Sequence, residues 1–439
     1  MPTAGSDRAR RFVVTPGCPV PAPFTSNVLA LLAEKCIRIP VVAALTFLIA
    51  RALGPLDFGR LAFAQAVLAL LAPVTHLGLE QITIREMIRV PASTPALLGT
   101  TFILRLSSGL VTLALAAIAL VLMKPSETLI PTLLLVASLP LTATTTVDYY
   151  FRAQQRMTPP AVARLLAFGV YVAAVLYVLA SPSRVTVVAF ALIIVIEQII
   201  LAALYLGLAQ STLSPRCWTV DLSTARKLWR DAWPLALSTF SIMIYMRIDQ
   251  LMIKHFMGDT AVGLYSAAVT ISELWYFLPL VLIQAAFPKI IALRSDSARY
   301  TAMLKKLGRL LVMCSYIFAL GMAFMGHTVL NLLYGPDYAD AYPALAVSAW
   351  AGVFVSLGVV QGPWSVAENL QRHALLRTIA GAVTNVILNI AFIPLWGLTG
   401  AAIATIISYG ISAFSGNFFS NRTRPFFYLQ LRMLVPYAR

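Results

Sequence analysis

Leu53-Gly54-Pro55-Leu56-Asp57-Phe58-Gly59-Arg60-Leu61 and Met257-Gly258-Asp259-Thr260-Ala261-Val262-Gly263-Leu264-Tyr265 share one pattern. Each has two glycines five residues apart with an Asp between them, and each joins one long apolar run to the next. The offset is 204 residues (258 − 54), close to half of the 439-residue chain. A second pair, Arg152-Ala153-Gln154-Gln155-Arg156 and Glu368-Asn369-Leu370-Gln371-Arg372, echoes it at an offset of 216 (368 − 152). Self-similarity at this scale points to a duplicated half, and two facing bundles of membrane helices are a common design among secondary transporters. An even number of spans per half leaves both halves in one orientation, so residues 28–206 and 232–419 should be related by a rotation about the membrane normal.

Hydrophobic residues make up 59% of the chain, charged residues only 11%, and the mean hydropathy is +0.83. Soluble domains carry about 25% charged residues, so this chain cannot cover itself in water and belongs in a membrane. Apolar runs of spanning length, about 20 residues, lie near 28–50, 61–83, 96–122, 127–149, 161–180, 185–206, 232–256, 262–287, 307–326, 342–363, 374–395 and 398–419. The sequence thus predicts an all-α integral membrane protein with about twelve helices in two pseudo-symmetric six-helix lobes around a central cavity.

The formal charge of +16 does not indicate nucleic-acid binding, because no basic patch on a soluble domain accompanies it. Its placement is topological. With the N-terminus inside, 24 Lys and Arg fall on inner segments and 5 on outer loops (Arg51, Arg60, Lys124, Arg184 and Lys254). Cationic loops resist translocation, so both termini are assigned to the cytoplasm. The expected organisation is a disordered tail over 1–27, a first lobe over 28–206, a cytoplasmic linker over 207–231, a second lobe over 232–420 and a tail over 421–439. Cys18, Cys36, Cys217 and Cys314 are scattered, the four histidines lack metal-ligand spacing, and GxxxxGK is absent. No cofactor, metal or catalytic constellation is expected.

Ionisable residues at membrane depth are the best pointers to a site, since each costs several kcal/mol unless it faces water or a partner. Lys35 and Arg38 lie on the first span, Arg105 on the third, Glu197 on the sixth, Arg247 and Asp249 on the seventh, and Glu273 on the eighth. Arg38, Arg105 and Arg247 are the candidate substrate-cavity residues. Asp249, Glu273 and Glu197 are candidate ion-coupling groups or structural partners of those cations.

Ala50-Arg51-Ala52-Leu53-Gly54-Pro55-Leu56-Asp57-Phe58-Gly59, Gly78-Leu79-Glu80 with Ile84-Arg85-Glu86, and Ile248-Asp249-Gln250-Leu251-Met252-Ile253 are followed by the second glycine pattern and Leu333-Tyr334-Gly335-Pro336-Asp337-Tyr338. In their order and spacing they resemble the polysaccharide transporter family of lipid-linked oligosaccharide flippases, which includes O-antigen-type flippases. That family shares a superfamily with the multidrug and toxin extrusion transporters. The resemblance implies alternating access in a bacterial inner membrane, with an undecaprenyl-pyrophosphate-linked oligosaccharide as cargo for surface or exopolysaccharide synthesis. It implies a cationic lumen, which the three arginines would supply, and membrane lipids, a polysaccharide polymerase and chain-length proteins as partners. The alternative is an H⁺- or Na⁺-coupled drug or metabolite exporter of the same superfamily. A membrane-embedded glycosyltransferase is disfavoured by the short loops.

Overall fold

The computed structural model describes residues 24–122, 127–368 and 370–435, and no strand occurs among them. The helices are α1 (Phe24–His76), α2 (Leu79–Arg89), α3 (Thr94–Leu122), α4 (Leu129–Ala137), α5 (Thr146–Ala153), α6 (Thr158–Leu179) and α7 (Val187–Thr212) in the first half. The second half holds α8 (Leu222–Met257), α9 (Asp259–Ala292), α10 (Ser297–Leu333), α11 (Tyr342–Ser348), α12 (Ala351–Ala367), α13 (Gln371–Ala413) and α14 (Arg424–Leu434). Most of the expected tail over 1–27 lies outside the described residues.

Eight helical segments are long and apolar enough to cross a membrane, and the bent pair α11–α12 makes a ninth. Geometry supplies the rest. At 1.5 Å per residue a straight α1 would run about 80 Å, far beyond a hydrocarbon core of about 30 Å. It folds at Gly54 (φ 72°, ψ 170°), and α13 does the same at Gly397 (φ 58°, ψ −136°). Counting these two as four crossings and adding α8, whose polar stretch keeps its hydropathy low, gives twelve. Phe324 is 84% exposed and Ile317 71%. Side chains like these would be a liability in water, whereas lipid tails accept them.

The repeated glycine pattern becomes a repeated turn. Gly54 breaks α1, and Gly258 (φ 88°, ψ −177°) separates α8 from α9 with the same left-handed φ and extended ψ. A Cβ is disfavoured at such φ. Each turn is therefore a single residue, tighter than the ten-residue loop over 51–60 that hydropathy implies. The end of the bundle holding Gly54, Gly258, Gly335 and Gly397 is called the glycine face, and the opposite end the linker face.

Several boundaries differ from the sequence reading. The second crossing stops at His76, not residue 83, where Leu77 (φ 53°) and Gly78 turn the chain into the short helix α2. The linker is only residues 213–221, because α7 continues to Thr212 and α8 starts at Leu222 and runs unbroken through Pro234 to Met257. Asp221 fixes that start: its carboxylate accepts from the backbone N–H of Ser223 (3.2 Å) and Thr224 (2.8 Å), the usual N-cap bond. Hydrogen bonds from the Ser223 and Thr224 side chains hold its carboxyl below the ordinary range. The tail expected over 421–439 instead contains α14, which buries Phe426, Gln430 and Met433 against the second half.

Candidate functional site

The halves meet most tightly at the glycine face. A Cβ built on Gly59 would overlap the carbonyl oxygen of Asp259 and lie 2.8 Å from the Gly263 nitrogen. One on Gly263 would overlap the carbonyl oxygen of Pro55 and lie 3.0 Å from the Gly59 nitrogen. The second glycine of each repeat thus exists to admit the other, as small residues do at close helix crossings in membranes. Charges surround the crossing. Arg60 reaches Asp57 (2.7 Å), Asp259 (3.7 Å) and Glu127, while Lys254 reaches Asp259 (2.8 Å) and Thr128 (2.6 Å). Tyr338 adds a second clasp, its hydroxyl donating to the Ala50 carbonyl (2.7 Å), with Tyr334 edge-on to Phe47 at 5.1 Å.

Towards the linker face three abutting cavities lie between the halves, beside a second contact where α2 packs on the start of α8: a Cβ on Gly78 would lie 2.5 Å from the Ala236 nitrogen, Lys227 reaches Glu86 (2.7 Å) and Arg85 reaches Asp231 (3.0 Å). The largest, about 620 Å³, lies along α8, α9, α12 and α13, with Tyr245, Tyr276, Phe354, Gln361, Arg372, Arg377 and Tyr409 in its wall. It shares Gln81, Leu235 and Ser238 with a second of about 280 Å³. That one shares His76 and Glu80 with a third of about 400 Å³ in the first half. The largest of them is by itself of the size that ligand-binding clefts occupy. Tyr409 makes edge-on contacts with Tyr245 (5.1 Å) and Tyr276 (6.4 Å), which gives the main cavity an amphipathic aromatic wall.

All three candidate arginines have protein partners. Arg38 meets Glu197 at 3.1 Å, 159 residues away in sequence, and lies over the Phe168 ring. Arg105 is fully buried and donates to Thr145 (2.7 Å) and Tyr149 (2.8 Å), with His76 Nδ1 at 2.6 Å, so it ties α1, α3 and α5 together. Arg247 pairs with Glu273 at 2.8 Å, joining α8 to α9. Asp249, 2% exposed, accepts from the Tyr265 hydroxyl (2.5 Å) and the Gln250 N–H (2.8 Å) beside a void of about 10 Å³. That is room for one water at most. None of the three arginines is in the wall of the large cavities.

The wall cations are others. In the third cavity Arg164 forks onto Glu34 (2.8 and 2.7 Å) and reaches Asp148 (3.2 Å), while Arg152 links Asp148 (2.6 Å) to Glu80 (2.7 Å). Removing one member of such a buried network leaves charges unpaired, at about 3–5 kcal/mol. Arg164→Ala is therefore expected to lower the melting temperature of the purified protein sharply, and Arg164→Lys to recover only part of it. Unchanged melting by Arg164→Ala would show that the network carries no stability.

Sequence reasoning placed Arg164 and Arg377 among topological loop cations and passed over Glu34 and Gln361. A signal existed for Gln361, a lone amide that follows Gly358-Val359-Val360 inside the apolar run of α12, since buried amides need partners. Nothing in the spacing of Arg164 revealed Glu34, 130 residues away.

A helical membrane bundle with an internal cavity closed at one end is the architecture of a solute or lipid carrier. The chain belongs to the polysaccharide biosynthesis protein family, whose sequence model matches residues 24–294. It is 34% identical over 179 residues to the probable flippase AglR of Haloferax volcanii, covering 38% of this chain and 36% of that one. It is 23% identical over 194 residues to the capsular polysaccharide biosynthesis protein CapF of Staphylococcus aureus (43% and 48%), and 20% identical over 180 residues to a putative O-antigen transporter of Shigella dysenteriae (41% and 45%). These matches span about a third to a half of the relatives' length. The fold is similar to that of the lipid II flippase MurJ in an inward closed conformation (TM-score 0.72, 13% identity, 93% of this chain and 90% of that one). It is also similar to an inward-facing multidrug resistance MATE family transporter (TM-score 0.70, 15% identity, 93% and 98%).

Proposed function

We propose that this protein is a flippase that moves a lipid-linked oligosaccharide, carried on undecaprenyl pyrophosphate, across a bacterial inner membrane for surface or exopolysaccharide synthesis. The observation that carries the reading is the pairing of a sealed glycine face with a cavity system on the linker face. That asymmetry is what one state of an alternating-access carrier requires, and the family and the relatives' names agree with it. The linker face is cytoplasmic in this reading, both termini included, because the cation excess lies there. The sugar head enters between the halves while the lipid tail stays in the bilayer. The protein supplies no bond chemistry; it lowers the barrier for a polar head to pass through hydrocarbon. A polymerase and chain-length proteins would act on the delivered unit.

The test uses proteoliposomes bearing a fluorescent undecaprenyl-pyrophosphate-linked oligosaccharide. Purified protein is expected to expose the label to an impermeant quencher at a rate proportional to protein content. In cells, reporter fusions after Tyr338 and after Arg439 should report opposite compartments. A protein-independent rate, or both fusions on one side, would overturn the reading. The exporter alternative keeps one observation of its own, the buried Asp249 beside Glu273, and predicts H⁺- or Na⁺-driven uptake of a small cation into the same vesicles.

A further inference from the structure

The cavities differ in charge. The third is balanced, with Glu34, Glu80 and Asp148 facing Lys35, Arg152 and Arg164. The main cavity has Arg372 and Arg377 and no carboxylate in its wall among the described residues. Arg377 is only 9% exposed, yet no acidic group pairs with it among those residues. Among the described residues its side-chain partner is Gln361, whose oxygen, in the amide orientation that turns it to the guanidinium, accepts from Nη1 and Nη2 (2.7 Å for Nη2). A guanidinium has five N–H donors. With two on Gln361, three remain (5 − 2), and Nε is buried without a partner.

Gln361 does not hold this position alone. Asn417 packs against its amide, with Nδ2 3.0 Å and Oδ1 2.6 Å from the Gln361 oxygen in that orientation, and Nδ2 also donates to Gln430 of α14 (2.8 Å), whose own amide donates to the Ala413 carbonyl (2.7 Å). An uncompensated buried cation is costly, and here a neutral amide chain from the C-terminal helix keeps it in one orientation. Such a group is pre-organised for an anion that arrives from outside.

Resting on the flippase reading, we infer that Arg377, with Arg372 at the mouth, binds the phosphate moiety of the cargo, and that Gln361, Asn417 and Gln430 position it. A planar guanidinium recognises phosphate oxygens in pairs. The diphosphate head docks in the acid-free chamber of the second half, against Tyr245 and Tyr409, and the neutral sugars extend towards the charge-balanced chamber of the first. Arg38, Arg105 and Arg247 then hold helices, not cargo.

The test measures binding of geranyl diphosphate to the full-length protein in nanodiscs of neutral lipid, with geraniol, inorganic pyrophosphate and phosphatidylglycerol as comparators. Saturable binding of geranyl diphosphate is expected, with geraniol inactive. Losing a hydrogen-bonded charge in the site is worth about 10–100-fold in affinity, so Arg377→Gln should weaken binding by that factor and Arg377→Lys by less. Gln361→Glu gives an independent check. It keeps the arginine, supplies an internal counter-ion, and should abolish binding without lowering the melting temperature. Equal affinity in Arg377→Gln and Gln361→Glu would overturn the subsite while leaving vesicle flipping intact. Equal, Arg377-dependent binding of phosphatidylglycerol would make it an ordinary lipid site, and no binding to the unmodified protein would remove both the subsite and the cargo class.

Discussion

Replacing Gly59 with valine is expected to force the glycine face open and to abolish surface polysaccharide while the protein remains in the membrane. The added Cβ would overlap the Asp259 carbonyl oxygen, and ordinary contact there begins at 3.4 Å. The helices must separate by about 1.5 Å or more to restore normal carbon–oxygen distances, and no flexible side chain is available to move aside. Gly263→Val should behave alike, because its obstacle is the Pro55 carbonyl. Accessibility gives the direct readout. In a background with Cys18, Cys36, Cys217 and Cys314 changed to serine, Ala341→Cys places a thiol in a fully buried position beside the Tyr338 clasp. An impermeant maleimide added outside should label it several-fold faster when Gly59→Val is also present. Unchanged labelling with normal polysaccharide would mean that this crossing is not the seal.

The second large effect concerns Arg247. Its pairing with Glu273 makes the expected result of Arg247→Ala a loss of folded protein, since Glu273 is left without its cation at mid-membrane. The side chains are 26% and 22% exposed, so the penalty belongs at the low end for a broken buried pair, about 3 kcal/mol. Arg247→Ala with Glu273→Ala should restore most of the abundance, and flipping per molecule should then be near normal. If abundance is unchanged in the single mutant while flipping disappears, Arg247 acts on cargo and the pairing is incidental.

The all-helical membrane fold and the repeated glycine turns were legible from residue types in one dimension. Hydropathy measures depth, and glycine spacing marks where backbones turn. Partnership was not legible. Arg38 and Glu197 are separated by 159 residues and Arg164 and Glu34 by 130, so depth singled out Arg38 and Arg247 as cations in need of neutralisation without revealing that carboxylates already neutralise them. Arg377 was missed for the opposite reason. It lies six residues (377 − 371) past the start of α13, close enough to the end to be counted with the loops, and Gln361 of α12 and Gly416 in the turn after α13 close over it. The continuity of α8 was hidden by Pro234 and a polar first turn, features that usually end a helix and here do not.

For a chain built by duplication, the reciprocal fit of Gly59 and Gly263 would also constrain its history. After a duplication, two copies ordinarily drift apart, each adapting to its own surroundings. Here each copy of the motif is the surroundings of the other, so a side chain gained by one is refused by its twin. Divergence at the crossing is thereby confined to residues that meet the twin through their backbone: Pro55 and Asp259, which follow the leading glycines, differ in side chain yet each present a carbonyl oxygen, while the interlocking glycines are the same in both.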